Sequence, residues 1–350
     1  MFSDSEFPAH LDISYIRGHH SHFEVSNTSP SHNMSGELCI EIPFGTTINP
    51  DLGRARAQHS EWIEKAGLIP DTEARKIYEA TDFPRLVAYT YPSASGAQLD
   101  LITNLIGWSF ILDDSLDKPG ILQASPINTA EALSSYRKVL YGCTCETPDV
   151  PLVTAWKELL RCVHERSSED LKARHRTHWE LLFEGFQREA ENNARGYVPN
   201  FNEYLELRRA AGGVEICLDW AEAIGGFEVL SSVHQDPGFL RLREDADDIV
   251  SMTNDIFSVR KEYKGGNTDN VVLVLAKQEQ CTWEQAIGIT QDLITKSVAH
   301  FQVTEAEFLQ SACFTNLTPQ DMSNTLKFID AMKHWMRGSL EWHLSSPRYN

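Results

Sequence analysis

Six side chains in two short stretches, Asp113, Asp114, Asp117 and Asn254, Ser258, Glu262, have the types and spacing to hold divalent cations. The three aspartates close a segment, Leu99 to Leu112, that is apolar on almost every side. Asp113 and Asp117 are four residues apart and leave a helix from one face. Acids at a helix C-terminus oppose its dipole, and burying them is costly unless a cation meets them. Asn254, Ser258 and Glu262, at i, i+4 and i+8, stack along one helical stripe. An amide oxygen, a hydroxyl and a carboxylate form a hard, oxygen-only donor set, suited to Mg²⁺ or Mn²⁺ and not to zinc or copper. Lys261, beside the stripe, can reach an anion held by the same metal. Ile249, Met252 and Ile256 form a separate apolar stripe roughly opposite, so this helix should pack on one side and line a polar cavity on the other. Taken alone, the Asn254/Ser258/Glu262 stripe reads as an ordinary solvated helix face, while the aspartate cluster reads as a divalent-cation site.

Both stretches need helices to position them. Helical periodicity recurs over 51–66, 71–90, 95–117, 128–141, 151–165, 168–194, 201–224, 238–264, 269–279, 282–310 and 319–345, with no convincing strand alternation. The breaks carry Gly and Pro, as at Gly67–Pro70, Pro119-Gly120, Gly225-Gly226 and Gly265-Gly266. Asp71 with Ala74, and Thr282 with Gln285, read as N-caps. The expectation is one all-α domain over residues 39–350, of about ten to twelve helices, after a polar, His-rich tail over 1–38.

The formal charge of −19 argues against nucleic acid and against an anionic membrane surface as partner. An anionic ligand must therefore be captured by local cations. The seven cysteines are scattered, without a CxxC pair, and read as reduced thiols. No leader and no membrane-spanning run is seen, so a soluble, cytoplasmic protein is expected.

The two stretches together resemble the class I terpene synthases. Asp113-Asp114-Ser115-Leu116-Asp117 is similar to their DDxxD motif, and Asn254 to Glu262 matches NDxxSxxxE at every defined position. Arg208, 46 residues before Asn254, occupies the place of the family's diphosphate-sensing arginine, and Arg348-Tyr349 is like the RY pair that closes many bacterial members. The resemblance covers roughly residues 40–350.

It implies a Mg²⁺-dependent cyclase with three Mg²⁺ ions that opens a linear prenyl diphosphate and cyclises the carbocation. Asp113 is then the surest ligand of its motif, and Asp114 and Asp117 ligate or orient the helix. Arg208, Lys261, Arg348 and Tyr349 would bind diphosphate, and Gly212 would carry the effector carbonyl at a helix break. Ala211 departs from relatives with a polar linker there. Phe110 and Trp342 are the expected cavity aromatics, whose electron-rich faces attract cations without acting as bases. Trp108, Phe83 and Trp335 are weaker candidates.

Farnesyl diphosphate is the favoured substrate and geranylgeranyl diphosphate the alternative; a homodimer is compatible with both. Two other classes compete. A chain-elongating prenyltransferase would carry a second DDxxD where Asn254, Ser258 and Glu262 stand, and Asp247-Asp248 lacks the third acid. A non-catalytic helical binding protein would have lost at least one ligand position, and none is lost.

Overall fold

The structure is a computed structural model that describes residues 40–116, 126–143 and 150–349. The expected tail, residues 1–38, and the candidate ligand Asp117 lie outside the described residues. No β-strand occurs among the described residues. In chain order the helices are α1 (Leu52–Lys65), α2 (Thr72–Thr81), α3 (Phe83–Thr90), α4 (Gly96–Leu116) and α5 (Pro126–Leu140). They continue with α6 (Pro151–His164), α7 (Glu169–Arg195), α8 (Phe201–Ala211), α9 (Val214–Gly225) and α10 (Ser231–His234). The last are α11 (Pro237–Gly265), α12 (Val271–Gln278), α13 (Trp283–Phe308), α14 (Ala312–Thr315) and α15 (Pro319–Ser345), followed by a 3-10 turn, Pro347–Tyr349.

The caps follow from side-chain chemistry. Asp71 accepts from the Ala74 amide at 2.7 Å, and Thr282 with Gln285 forms the expected capping box. A second box, Asn200 with Glu203, starts α8 beyond the two caps expected. The helix count exceeds the expected ten to twelve because two expected helices are broken and two single-turn helices, α10 and α14, are added.

The first break, within the expected 71–90 helix, falls at Asp82, whose φ of 55° is left-handed. Aspartate tolerates that conformation better than most residues, and Pro84 could not donate to the preceding turn. Arg56 and Arg85 hold the Asp82 carboxylate. The carbonyls at the break accept from α15 and its C-cap: Trp342 Nε1 donates to Thr81 O at 2.9 Å and Asp82 O at 3.2 Å, and Ser346 Oγ to Thr81 O at 3.0 Å. The second break, within the expected 201–224 helix, is at Gly212-Gly213, where Gly213 has φ 71°. Only glycine takes that conformation without strain.

The core is a single cluster that runs through the helical layers. Leu99, Ile102, Leu105, Ile106, Trp108 and Leu112 are all buried, so α4 is enclosed as its apolar sequence requires. Full burial of each such aliphatic side chain is worth roughly 1.5–3 kcal/mol. Helix α4 packs on α1, α3 and α6, while α11 packs on α13 and α15. Gly185 lets α7 approach α8, since a Cβ there would lie 2.8 Å from the Ala211 amide nitrogen. Gly338 does the same for α15 against the backbone of Tyr89 in α3, 3.0 Å away. Helices α4 and α11 both line one internal cavity.

Candidate active site

The cavity, about 210 Å³, has a polar end and an apolar end. At the polar end, α4 supplies Asp113, α8 supplies Arg208, α11 supplies Asn254, Lys261 and Glu262, and the terminal turn supplies Arg348 and Tyr349. Residues more than 200 positions apart therefore meet because α4, α11 and α15 surround the same space.

Arg208 is the hub. Its Nε donates to Asp255 Oδ1 at 3.0 Å and its Nη2 to Asn254 Oδ1 at 3.0 Å. Asp255 is 1 % exposed and also accepts from Tyr204 Oη at 2.6 Å and from the Val271 amide at 2.7 Å. These three donors fix the carboxylate, and the carboxylate fixes Arg208. Ser251 Oγ and Arg208 Nη1 lie 3.0 and 3.2 Å from where a Gly212 Cβ would stand, so the helix break is pressed against the guanidinium.

Across the cavity, Asp114 receives Arg348 through Nη1 at 3.0 Å and Nη2 at 2.8 Å, and Lys261 Nζ at 2.9 Å. Burial works to raise the Asp114 carboxyl, but the hydrogen bonds and charges of Arg348 and Lys261 outweigh it and hold the group below its usual range. Desolvation pushes Asp113 up, against the charge of Lys261. Its side chain keeps 44 % of its surface exposed. The Glu262 carboxyl is also raised, first by burial and then by the Asp255 charge, against Arg208 and hydrogen bonds from Asn270 and Ser258.

Three of these groups rest on residues behind them. Asn270 Nδ2 donates to Glu262 Oε2 at 2.8 Å and to Asp255 O at 2.9 Å. His343 is buried, stacks on Tyr349 at 5.5 Å, and has its pKa lowered to about 4, chiefly by burial. The Arg348 guanidinium lies 4.9 Å from the Phe110 ring centroid and 5.4 Å from that of Phe83.

Among the described residues no three His, Cys, Asp or Glu side chains group at metal-binding spacing. The candidate set instead combines carboxylate, amide and hydroxyl oxygens on two walls. An oxygen-only set with half-buried carboxylates driven up by desolvation fits a hard divalent cation, whose charge would stabilise the anions.

The model of "Terpene synthase family 2, C-terminal metal binding" matches residues 104–300, more than half of the chain. The chain belongs to the terpene synthase family. It is similar to pristinol synthase of Streptomyces pristinaespiralis, 28 % identical over 327 residues that cover 92 % of this chain and 87 % of that one. It is 26 % identical over 324 residues to 7-epi-alpha-eudesmol synthase ((2E,6E)-farnesyl diphosphate cyclizing) of Streptomyces viridochromogenes, covering 90 % and 93 % of the two chains. The solved structure of germacradien-4-ol synthase from Streptomyces citricolor shares the fold, with a TM-score of 0.77 at 26 % identity over 88 % of this chain and 98 % of that one.

This terpene synthase is a class I enzyme, and most of its expected site residues face one cavity. Asp113, Arg208, Gly212, Asn254, Lys261, Glu262, Arg348 and Tyr349 line it, as do Phe110 and Trp342. Ser258 is 1 % exposed and stands behind Glu262, and Asp114 is taken up by its two cations. Two of the weaker aromatic candidates are corrected. Trp108 faces away, stacked on Trp156 at 4.7 Å with its Nε1 donating to Leu152 O, and Phe83 stands behind Phe110, stacked at 4.1 Å. Trp335 does line the cavity, with Trp179, Trp220 and Phe186, to which no motif points. Asn270 left a sequence signal, an Asn before the apolar run Val271 to Leu275, but one that reads only as a cap. No helix among the described residues is long and apolar enough to cross a membrane.

Proposed function

We propose that the enzyme ionises farnesyl diphosphate with Mg²⁺, releases diphosphate and cyclises the carbocation to a sesquiterpene, within one catalytic domain over residues 39–350. The observation that carries this reading is the convergence of Asp113, Asn254, Glu262 and three cations on the polar end of an otherwise apolar cavity, with Ser258 directly behind Glu262. The eudesmol synthase named above acts on the same C15 substrate by its printed name, and it aligns over 90 % of this chain.

Bound between the two walls, Mg²⁺, as three ions by family resemblance, would neutralise diphosphate oxygens as a Lewis acid; Mn²⁺ has the same preference for hard oxygen ligands. Asp113, Asn254, Ser258 and Glu262 would hold the metal, with Asp114 and Asp117 orienting their wall or adding ligands. Arg208, Lys261 and Arg348 donate charge-assisted hydrogen bonds to the leaving diphosphate, and the Tyr349 hydroxyl adds a neutral donor. Gly212, pressed against Arg208, would couple diphosphate capture to the α8–α9 break through its carbonyl. Phe110 and Trp342 line the cavity beside Arg348 and Tyr349, where they would exclude water and offer π faces to the cation.

Incubation of the purified enzyme with geranyl, farnesyl or geranylgeranyl diphosphate and Mg²⁺ tests this by gas chromatography. The expected result is cyclic C15 product from farnesyl diphosphate, lost in Asp113→Ala and Glu262→Ala while helicity survives. Cyclic product only from the C20 substrate, linear elongated diphosphates with isopentenyl diphosphate, or full activity in either variant would overturn it.

A further inference from the structure

We infer that His343 is a positioning residue that fixes the side-chain amide of Asn254 with its oxygen toward the metal and diphosphate. The argument rests on the functional reading above for Asn254 as a ligand, and on hydrogen-bond direction for the rest. An amide presents an acceptor on one side and two donors on the other, so only one of its two orientations can ligate a cation.

The direction is set from the far end. His343 Nδ1 lies 2.6 Å from Ser339 O, a backbone carbonyl that can only accept. Nδ1 therefore carries the ring proton. In the neutral ring Nε2 is then an acceptor, and it lies 3.1 Å from Asn254 Nδ2. The second amide hydrogen goes to Tyr349 Oη at 3.0 Å. With both Nδ2 hydrogens taken by His343 and Tyr349, Oδ1 is left facing Arg208 Nη2 at 3.0 Å and the cavity. A flipped amide would set its donors against the Arg208 guanidinium and its oxygen against the lone pair of Nε2.

The imidazole is itself held. Its ring stacks on Phe257 at 5.1 Å and on Tyr349 at 5.5 Å and meets Trp342 edge-on at 4.9 Å. Rotation about its χ angles would break these contacts and the Ser339 bond together. The chain from Ser339 O through His343 to Asn254 thus runs in one sense, from a helix carbonyl that cannot reverse to an amide that must not.

Two replacements separate this role from simple packing. His343→Phe keeps a flat ring and loses the acceptor; His343→Gln loses the ring and keeps a carbonyl oxygen near the place of Nε2. Calorimetric titration of each chelator-treated full-length enzyme with inorganic diphosphate and Mg²⁺ reads the site without turnover. Residues that orient a metal ligand typically contribute roughly 10–100-fold to affinity, so Phe should weaken Mg²⁺-dependent diphosphate binding by that factor and Gln should restore most of it. Wild-type affinity in the Phe variant, or a Gln variant as weak as Phe, overturns the inference.

The ¹⁵N spectrum of metal-free wild-type enzyme reads the imidazole directly rather than through affinity. The His343 resonances, assigned by their absence in His343→Gln, should report an Nδ1–H tautomer; an Nε2–H tautomer overturns the inference on its own. Wild-type enzyme that takes up no diphosphate with Mg²⁺ present would instead overturn the functional reading.

Discussion

Replacing Gly212 by alanine places a methyl group in the joint between α8 and α9. The Gly212 φ of −72° suits alanine, so the backbone itself is not strained. The added carbon would stand 2.8 Å from the Arg208 carbonyl oxygen, 3.0 Å from Ser251 Oγ and 3.2 Å from Arg208 Nη1. None of the three yields easily, and two of them belong to Arg208. Ser251 Oγ donates to Asp247 Oδ1 at 2.9 Å, and Arg208 is tied at 3.0 Å to both Asp255 and Asn254. Overpacking of this kind costs about 1–3 kcal/mol. If the strain falls on the guanidinium that receives diphosphate, kcat/KM drops roughly 5- to 150-fold, since each ~1.4 kcal/mol is a factor of ten. The assay is Mg²⁺-dependent diphosphate release from farnesyl diphosphate, with thermal melting alongside. Gly288→Ala is the control, because nothing lies within 4 Å of its Cβ position in α13. It should leave the rate unchanged and stabilise by about 0.5–1 kcal/mol. A Gly212→Ala enzyme with wild-type kcat/KM and melting temperature would refute the coupling of the break to Arg208.

Asp255→Asn should remove the charge that faces Arg208 Nε at hydrogen-bond distance, and breaking such a buried pair costs about 3–5 kcal/mol; a large fall in denaturant midpoint with loss of diphosphate release is expected, and unchanged stability would contradict it. Trp342→Phe removes the donor shared by Thr81 O and Asp82 O and should destabilise by about 1–3 kcal/mol in chemical denaturation. Burial lowers the His175 pKa to about 3, below the unfolded value near 6.5. Its contribution is therefore complete above about pH 6.5 and lost as pH falls, by about 1.4 kcal/mol per unit, or about 2.7 kcal/mol at roughly pH 4.5. Relative to His175→Gln, which keeps an acceptor for Trp179 Nε1, wild-type enzyme should lose that much in urea melts; parallel curves would contradict the assignment.

What the sequence disclosed was what lies along one helix. Asn254, Ser258 and Glu262 share a stripe because helical geometry alone brings i, i+4 and i+8 together. The enclosed α4, the capping box at Thr282 and the Gly212-Gly213 break are likewise local properties. What it withheld depends on which helices become neighbours. Trp108 and Phe110 are two residues apart on α4, yet one stacks on Trp156 in α6 and the other faces the cavity. His343 follows an expected cavity residue, but its bond to Asn254 spans 89 residues and exists only because α15 lies along α11. The break at Asp82 had a visible cause in Pro84, but the Trp342 and Ser346 donors that make it tolerable come from the far end of the chain. For Asp117, only the motif speaks.

The claim that organises the account is that two ligand-bearing walls hold Mg²⁺ against a prenyl diphosphate. Titration of chelator-stripped enzyme and farnesyl diphosphate with Mg²⁺, following released inorganic diphosphate, tests it most directly. The account predicts no release without a divalent cation, a steep onset as Mg²⁺ is added, and no recovery at saturating Mg²⁺ in Glu262→Gln. Release in the absence of divalent cations, or a Glu262→Gln enzyme that titrates like wild type, would contradict it.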